Sequence, residues 1–130
     1  MKSHGFVEAV EAKDIEAMRE ALAPDVRFLS PVVFRPYEGR DLVVGVLGAA
    51  AQVLADFEYV WKLEDDDGAA LVFKANVKER EVDGVDFLRF DGEGLVSELK
   101  VMVRPMSGVH ALAEAMGEQL EALGVSPPAG

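Results

Sequence analysis

Apolar residues recur at helical spacing from Gly5 to Leu22: Phe6, Val7, Val10, Ile15, Met18 and Leu22 share a stripe. Asp14 interrupts it and can cap a second short helix, because its carboxylate accepts the free N–H groups of the next turn. Ala23-Pro24-Asp25 ends the helical run, since proline disfavours helical geometry in the residue before it. Val26 to Ser30 then reads as a short strand with Val26, Phe28 and Ser30 on one face, closed by Pro31. A loop carrying Arg35, Pro36, Tyr37 and Gly39 leads to Asp41, the expected cap of a helix from Leu42 to Ala55. That helix is apolar around nearly its whole circumference, which predicts burial on more than one side.

From Phe57 the period becomes two. Phe57, Tyr59, Trp61 and Leu63 alternate with their neighbours, Asp65-Asp66-Asp67-Gly68 turns the chain, and Leu71, Phe73, Ala75 and Val77 continue the pattern. Asp83-Gly84 is the expected hairpin turn, as both central residues of a type I′ turn need positive φ. Asp86, Leu88 and Phe90 then share a face, and Asp91 to Gly94 turns again. Leu95, Ser97, Leu99, Val101 and Val103 line the apolar face of the last strand. Ser107 is the expected cap of a final helix that Gly124 stops. Helices gathered on one face of an antiparallel sheet make an α+β domain. It is expected to span residues 1–125, with a disordered tail at 126–130.

Composition narrows the partners more than the architecture. Half of the 130 residues are hydrophobic, which sets the chain apart from disordered sequences of similar charge. Twenty-four acidic residues against 13 basic give a net charge of −11, an unfavourable balance for contacting nucleic-acid phosphates or an anionic membrane. The absence of cysteine removes disulfides, thiol nucleophiles and thiolate metal sites. The longest apolar stretch, Leu42 to Ala51, is about half the length of a membrane-spanning helix. No secretory apolar segment follows Lys2, so a cytoplasmic location is expected.

Among candidates for chemistry, Asp86 stands out because the strand period puts its carboxyl among apolar side chains. A turn centred on Asp83-Gly84 would place Glu81 opposite Asp86 and Glu79 opposite Leu88. Desolvation and repulsion among three carboxyls would raise a pKa and supply a proton donor near neutral pH. The alternative is that this end of the hairpin is wet and its acids are simply solvated. Ser30 can offer a hydroxyl beside Phe28, but it lacks the G-x-S-x-G setting of an activated nucleophile. Tyr37 can donate from the following loop. The aromatic row Phe57, Tyr59 and Trp61 reads as core or subunit interface. His4 and His110 lie outside any metal-binding spacing, and Asp65 to Asp67 lack the spacing of a calcium loop, so no metal is expected. No glycine-rich phosphate cradle is present, and proton-transfer chemistry of the kind Asp86 suggests needs no cofactor.

The order of elements and several short stretches resemble the nuclear transport factor 2-like superfamily, in particular its SnoaL-like branch. The carrying residues are Phe6 to Ala9 with Lys13-Asp14, Leu22 to Phe28 with Ser30-Pro31-Val32, Tyr37 to Asp41, and Val85 to Asp91 with Gly94. The resemblance implies a cone: a curved antiparallel sheet with helices on its concave face, an apolar pocket between them, and a homodimer. It gives the pocket a lining of Phe6, Phe28, Ser30, Leu88, Phe90, Leu99, Val101 and Val103, with Asp86 as the polar member.

Within that superfamily, ketosteroid isomerase uses an Asp base, with a Tyr and a protonated Asp as oxyanion donors. Asp86 falls on the protonated-Asp position, whereas Ser30 stands at the base position and Phe6 at the Tyr position. Steroid isomerisation by that mechanism is therefore not expected. The acidic set of the superfamily's epoxide hydrolases is not matched either, because the last strand's inward positions are Leu99, Val101 and Val103. Three readings follow. The first is a domain that binds a small apolar molecule with Asp86 as anchor. The second is a cofactor-independent isomerase, cyclase or dehydratase of a small carbonyl compound, with Asp86 assisted by Ser30, Tyr37 or Glu79. The third is a dimerisation module whose own side chains fill the pocket. A roomy cavity with a second polar group beside Asp86 would favour the enzyme, Asp86 alone the binder, and no cavity the module.

Overall fold

The computed structural model describes residues 1–126. Two short helices, α1 (His4–Ala12) and α2 (Ile15–Ala21), lead directly into strand β1 (Leu22–Leu29). The break between the helices is the expected one. Lys13 takes a left-handed conformation, and the Asp14 carboxylate accepts the Ala17 N–H at 3.1 Å. A cap of this kind contributes about 1 kcal/mol. Strand β2 (Tyr37–Glu38), helix α3 (Arg40–Val53) and strands β3 (Ala55–Glu64), β4 (Gly68–Val77), β5 (Arg80–Phe90) and β6 (Val96–Arg104) follow, then helix α4 (Met106–Ala122). They form one six-stranded sheet in the order β2-β1-β6-β5-β4-β3. Its neighbours are antiparallel except for the parallel β1–β6 pair. Of the expected disordered tail, Ser126 is exposed and residues 127–130 lie outside the described residues.

Several elements differ from the sequence pattern. β1 begins four residues before Val26 and takes in Pro24, which is tolerated because the pairing with β6 shifts register between Leu22 and Arg27. Tyr37 and Glu38 are strand rather than loop, pairing with Phe28 and Arg27. Gly39, at φ 98°, occupies the N-cap of α3, while Asp41 sits in its first turn and pairs with Arg19. Pro105, not Ser107, precedes α4. The largest difference lies in the β4–β5 hairpin. Its turn is Lys78-Glu79, whose φ angles of 48° and 68° are the two positive values a type I′ turn demands. Asp83 and Gly84 lie inside β5, opposite Lys74 and Phe73.

Register shifts in the β3–β4 and β5–β6 pairs bend the strands and break their alternation. In β3 the shift after Tyr59 leaves Tyr59 buried against Phe73 and turns Trp61 outward, where it is 62% exposed. In β6 the shift makes Val96, rather than Leu95 or Ser97, the buried residue. The inward face, with Leu71, Phe73, Val82, Leu88 and Leu99, packs with Phe6, Val43 and Val46 of the helices into the core. The outward face carries two cross-strand rows, Trp61-Val72-Val85-Met102 and Leu63-Ala70-Phe87-Lys100, with Trp61, Leu63, Phe87 and Met102 exposed. No helix among the described residues is long and apolar enough to cross a membrane.

Candidate functional site

Between the inward sheet face and α1, α3 and α4 lies a cavity of about 550 Å³. Helix α3 supplies Val46, Leu47, Ala50 and Ala51 to its wall, the two alanines leaving space, and α4 supplies Leu112, Met116 and Leu120. The near-continuous apolar surface of α3 signalled two-sided burial, but which residues face a void depends on how the helices lie on the sheet. Phe6, Phe28, Ser30, Leu99, Val101 and Val103 stand on the wall as expected. Leu88 and Phe90 do not. Leu88 is packed in the core, one inward position past Asp86, and Phe90 is half-buried with the Lys2 ammonium 5.9 Å from its ring centre.

Asp86 is the buried carboxyl of this cavity, only 7% exposed. It pairs with Leu71 on β4 and Val101 on β6. The Tyr59 hydroxyl reaches across β4 and donates to Asp86 Oδ2 at 2.6 Å. The other oxygen, Oδ1, accepts no hydrogen bond from the described residues, yet no buried side-chain oxygen or nitrogen among them is left without a partner. Oδ1 is therefore not sealed in, and Asp86 opens onto the cavity. Burial raises the Asp86 pKa to about 7, the Tyr59 donor opposing part of that rise. Burial, and then the Asp86 charge, pushes the Tyr59 phenol well above its usual range. An aspartic acid so placed can donate a hydrogen bond or a proton near neutral pH.

Tyr59 was legible as an inward aromatic and not as the partner of Asp86. The contact spans two strand spacings, and the register that creates it follows from the bulged β3–β4 pairing. The acidic cluster, by contrast, does not form. With the turn at Lys78-Glu79, Glu79 is exposed in that turn, and Glu81 is exposed opposite Asn76. Glu81 is five residues along the strand from Asp86, about 17 Å at strand rise.

Ser30 reaches the cavity wall, but its hydroxyl accepts the N–H groups of Val32 and Val33 at 3.1 and 3.0 Å and so ties the loop after β1. Tyr37 also lines the cavity, its ring stacked on Phe28 with centres 5.9 Å apart and its pKa raised by burial. Lys13 and Glu121 are exposed charges that also line the cavity. His4 lies beside Glu8 at 3.1 Å, and His110 is exposed on α4. Asp65 accepts the N–H groups of Asp67 and Gly68, both at 2.9 Å, and is a turn residue. No group of three or more potential metal ligands occurs among the described residues.

The SnoaL-like domain family matches residues 4–99. No curated protein matches the sequence. Among solved structures, a steroid delta-isomerase from Pseudomonas aeruginosa is 36% identical, covering 94% of this chain and 90% of its own, with a TM-score of 0.89. An uncharacterised bacterial protein with a cystatin-like fold from Silicibacter pomeroyi is 32% identical over 92% of this chain and 85% of its own, with a TM-score of 0.89. A SnoaL-like polyketide cyclase, so assigned provisionally, from Shewanella denitrificans shares the fold at 13% identity and a TM-score of 0.65, covering 93% of this chain and 95% of its own. The chain thus belongs to the SnoaL-like family, within the nuclear transport factor 2-like, ketosteroid-isomerase fold.

Proposed function

We propose that this protein binds a small, largely apolar molecule in the cavity, with Asp86 hydrogen-bonding to an acceptor oxygen of that molecule. The observation that carries the reading is one buried carboxyl opening onto about 550 Å³ of otherwise mostly apolar space. A cavity of that size is in the range of small-molecule sites and well above the voids of an ordinary packed core. It counts against a module whose pocket is filled by its own side chains. The test is a panel of apolar ketones and the hydrocarbons of matching shape, titrated against the protein and its Asp86→Asn variant. Saturable ketone binding that prefers the ketone and weakens in the variant supports the reading. Failure of the whole panel to bind overturns it.

A second reading, acid–base isomerisation, cyclisation or dehydration of a small carbonyl compound, is favoured by the Tyr59–Asp86 contact. It is the second polar group beside Asp86 that catalysis calls for, although Tyr59 stands behind the carboxyl rather than on the cavity wall. The steroid delta-isomerase relative makes such chemistry a natural candidate. Ser30 and Phe6 at the expected base and Tyr positions argue against a two-carboxyl relay. The reaction would be one in which a single carboxyl both gives and takes the proton. Proton–deuterium exchange α to the carbonyl of a bound ketone, lost in Asp86→Asn, would support it.

The outward rows around Trp61 and Met102 further suggest a homodimer, because an exposed apolar sheet face of this kind is commonly covered by a partner.

A further inference from the structure

Tyr59 and Asp86 are on strands that do not touch. β4 runs between them, and on it Phe73 pairs with Tyr59 while Leu71 pairs with Asp86. The Tyr59 ring meets Phe57 edge-on at 4.9 Å and Phe73 at 6.5 Å, so its direction is set by packing on two sides. A phenol has a single proton to give, and this one goes to Asp86 Oδ2. Tyr59 is absent from the cavity wall, whereas Asp86 is on it, so the hydroxyl approaches the carboxyl from behind.

We propose that Tyr59 is the positioning residue of this site: by occupying Asp86 Oδ2, it confines the carboxyl's own proton, and any exchange with a bound molecule, to Oδ1 on the cavity side. The inference rests on reading Asp86 as the cavity's hydrogen-bonding group. Its physical basis is that a neutral carboxyl has one hydroxyl oxygen and one carbonyl oxygen. The oxygen that accepts from Tyr59 is the carbonyl one, which leaves the hydroxyl at Oδ1. The phenol keeps its own proton because its burial opposes ionisation. Without the tyrosine donor the carboxyl can exchange the roles of its oxygens or rotate, and its acidic proton loses a fixed direction. The other titratable groups near the pair are Tyr37, Lys13 and Glu121 on the cavity wall and Glu11 on α1, and none of them hydrogen-bonds to Asp86.

The test compares wild type, Tyr59→Phe and a protein with 3-fluorotyrosine at position 59, following the Asp86 carboxyl by carbon NMR across pH. In each, binding of an apolar ketone is compared with binding of its hydrocarbon counterpart. Tyr59→Phe removes a donor that stabilises the carboxylate, so the Asp86 midpoint rises by about one pH unit or more. The ketone-over-hydrocarbon preference falls several-fold while the hydrocarbon affinity holds. The more acidic fluorophenol keeps the ring and moves the midpoint downward, a readout that remains if Tyr59→Phe folds poorly. A midpoint that stays fixed in both proteins overturns the proposal, as does an unchanged preference. If wild type binds neither probe, the binding reading fails, and the two midpoint shifts still decide the role of Tyr59.

Discussion

The ring of Phe73 fills the space that a side chain on Gly84 would need: a Cβ at Gly84 would lie 2.2 Å from Phe73 Cζ and 2.8 Å from the Met102 carbonyl oxygen. Phe73 in turn stacks on Phe57 at 4.8 Å and forms part of the cavity wall. The glycine that reads as a turn residue is thus the seat of a core aromatic. Gly84→Ala should destabilise the protein by about 1–3 kcal/mol in urea unfolding, the usual cost of overpacking. Combining it with Phe73→Leu should cost less than the sum of the two single changes. Strict additivity would show that the contact does not govern the effect.

The buried carboxyl makes stability depend on pH with a definite sign. Asp86 titrates near 3.8 when unfolded and at about 7 when folded, so the native state holds the extra proton between these values. Its contribution to stability is therefore greatest below about pH 4, and it is lost as pH rises towards 7. Asp86→Asn should leave the fold intact and be more stable than wild type at pH 8 by about 2–4 kcal/mol, with the gap closing near pH 4. Urea unfolding at pH 4, 6 and 8 measures this, and a gap that is constant with pH would contradict a carboxyl buried in its neutral form.

Glu79 holds a left-handed conformation at φ 68° in the β4–β5 turn. Glu79→Gly should stabilise the protein by about 1 kcal/mol, because a side chain in that region carries a steric cost that glycine avoids. Ligand binding should be unaffected, since the residue is exposed in the turn. Impaired ketone binding in this variant would restore Glu79 as a member of the site.

Ala50 projects from α3 to the cavity wall. Ala50→Leu should fill part of the space, raise stability by about 1 kcal/mol through added apolar burial, and weaken binding of an apolar probe at least tenfold. Unfolding and probe titration of the same sample separate the two effects. Unchanged probe affinity would show that the probe binds elsewhere.

Trp61 is exposed beside Val72 on the outward sheet face. If that face joins two copies, Trp61→Glu should shift sedimentation from dimer to monomer at micromolar concentration without altering the circular-dichroism spectrum. A wild type that sediments as a monomer at the same concentration would refute the interface.

The change from helical to two-residue periodicity gave the order of the longer elements, though not the two-residue strand β2. It also placed Asp86 on an inward face, since side-chain direction follows from the local backbone repeat. The break at Lys13-Asp14 was equally local, and it was readable for the same reason. Register was not. Asp83-Gly84 carries the turn signal in the sequence, yet the β4–β5 register pairs Gly84 with Phe73 and puts the turn at Lys78-Glu79. Only once the chain is folded does Gly84 meet that ring, does the bulge after Tyr59 turn Trp61 outward, and does the Tyr59 hydroxyl reach Asp86 across an intervening strand. The cavity belongs to the same class of facts. It is the volume left between helices and a bent sheet, set by how the elements pack together and not by any segment alone.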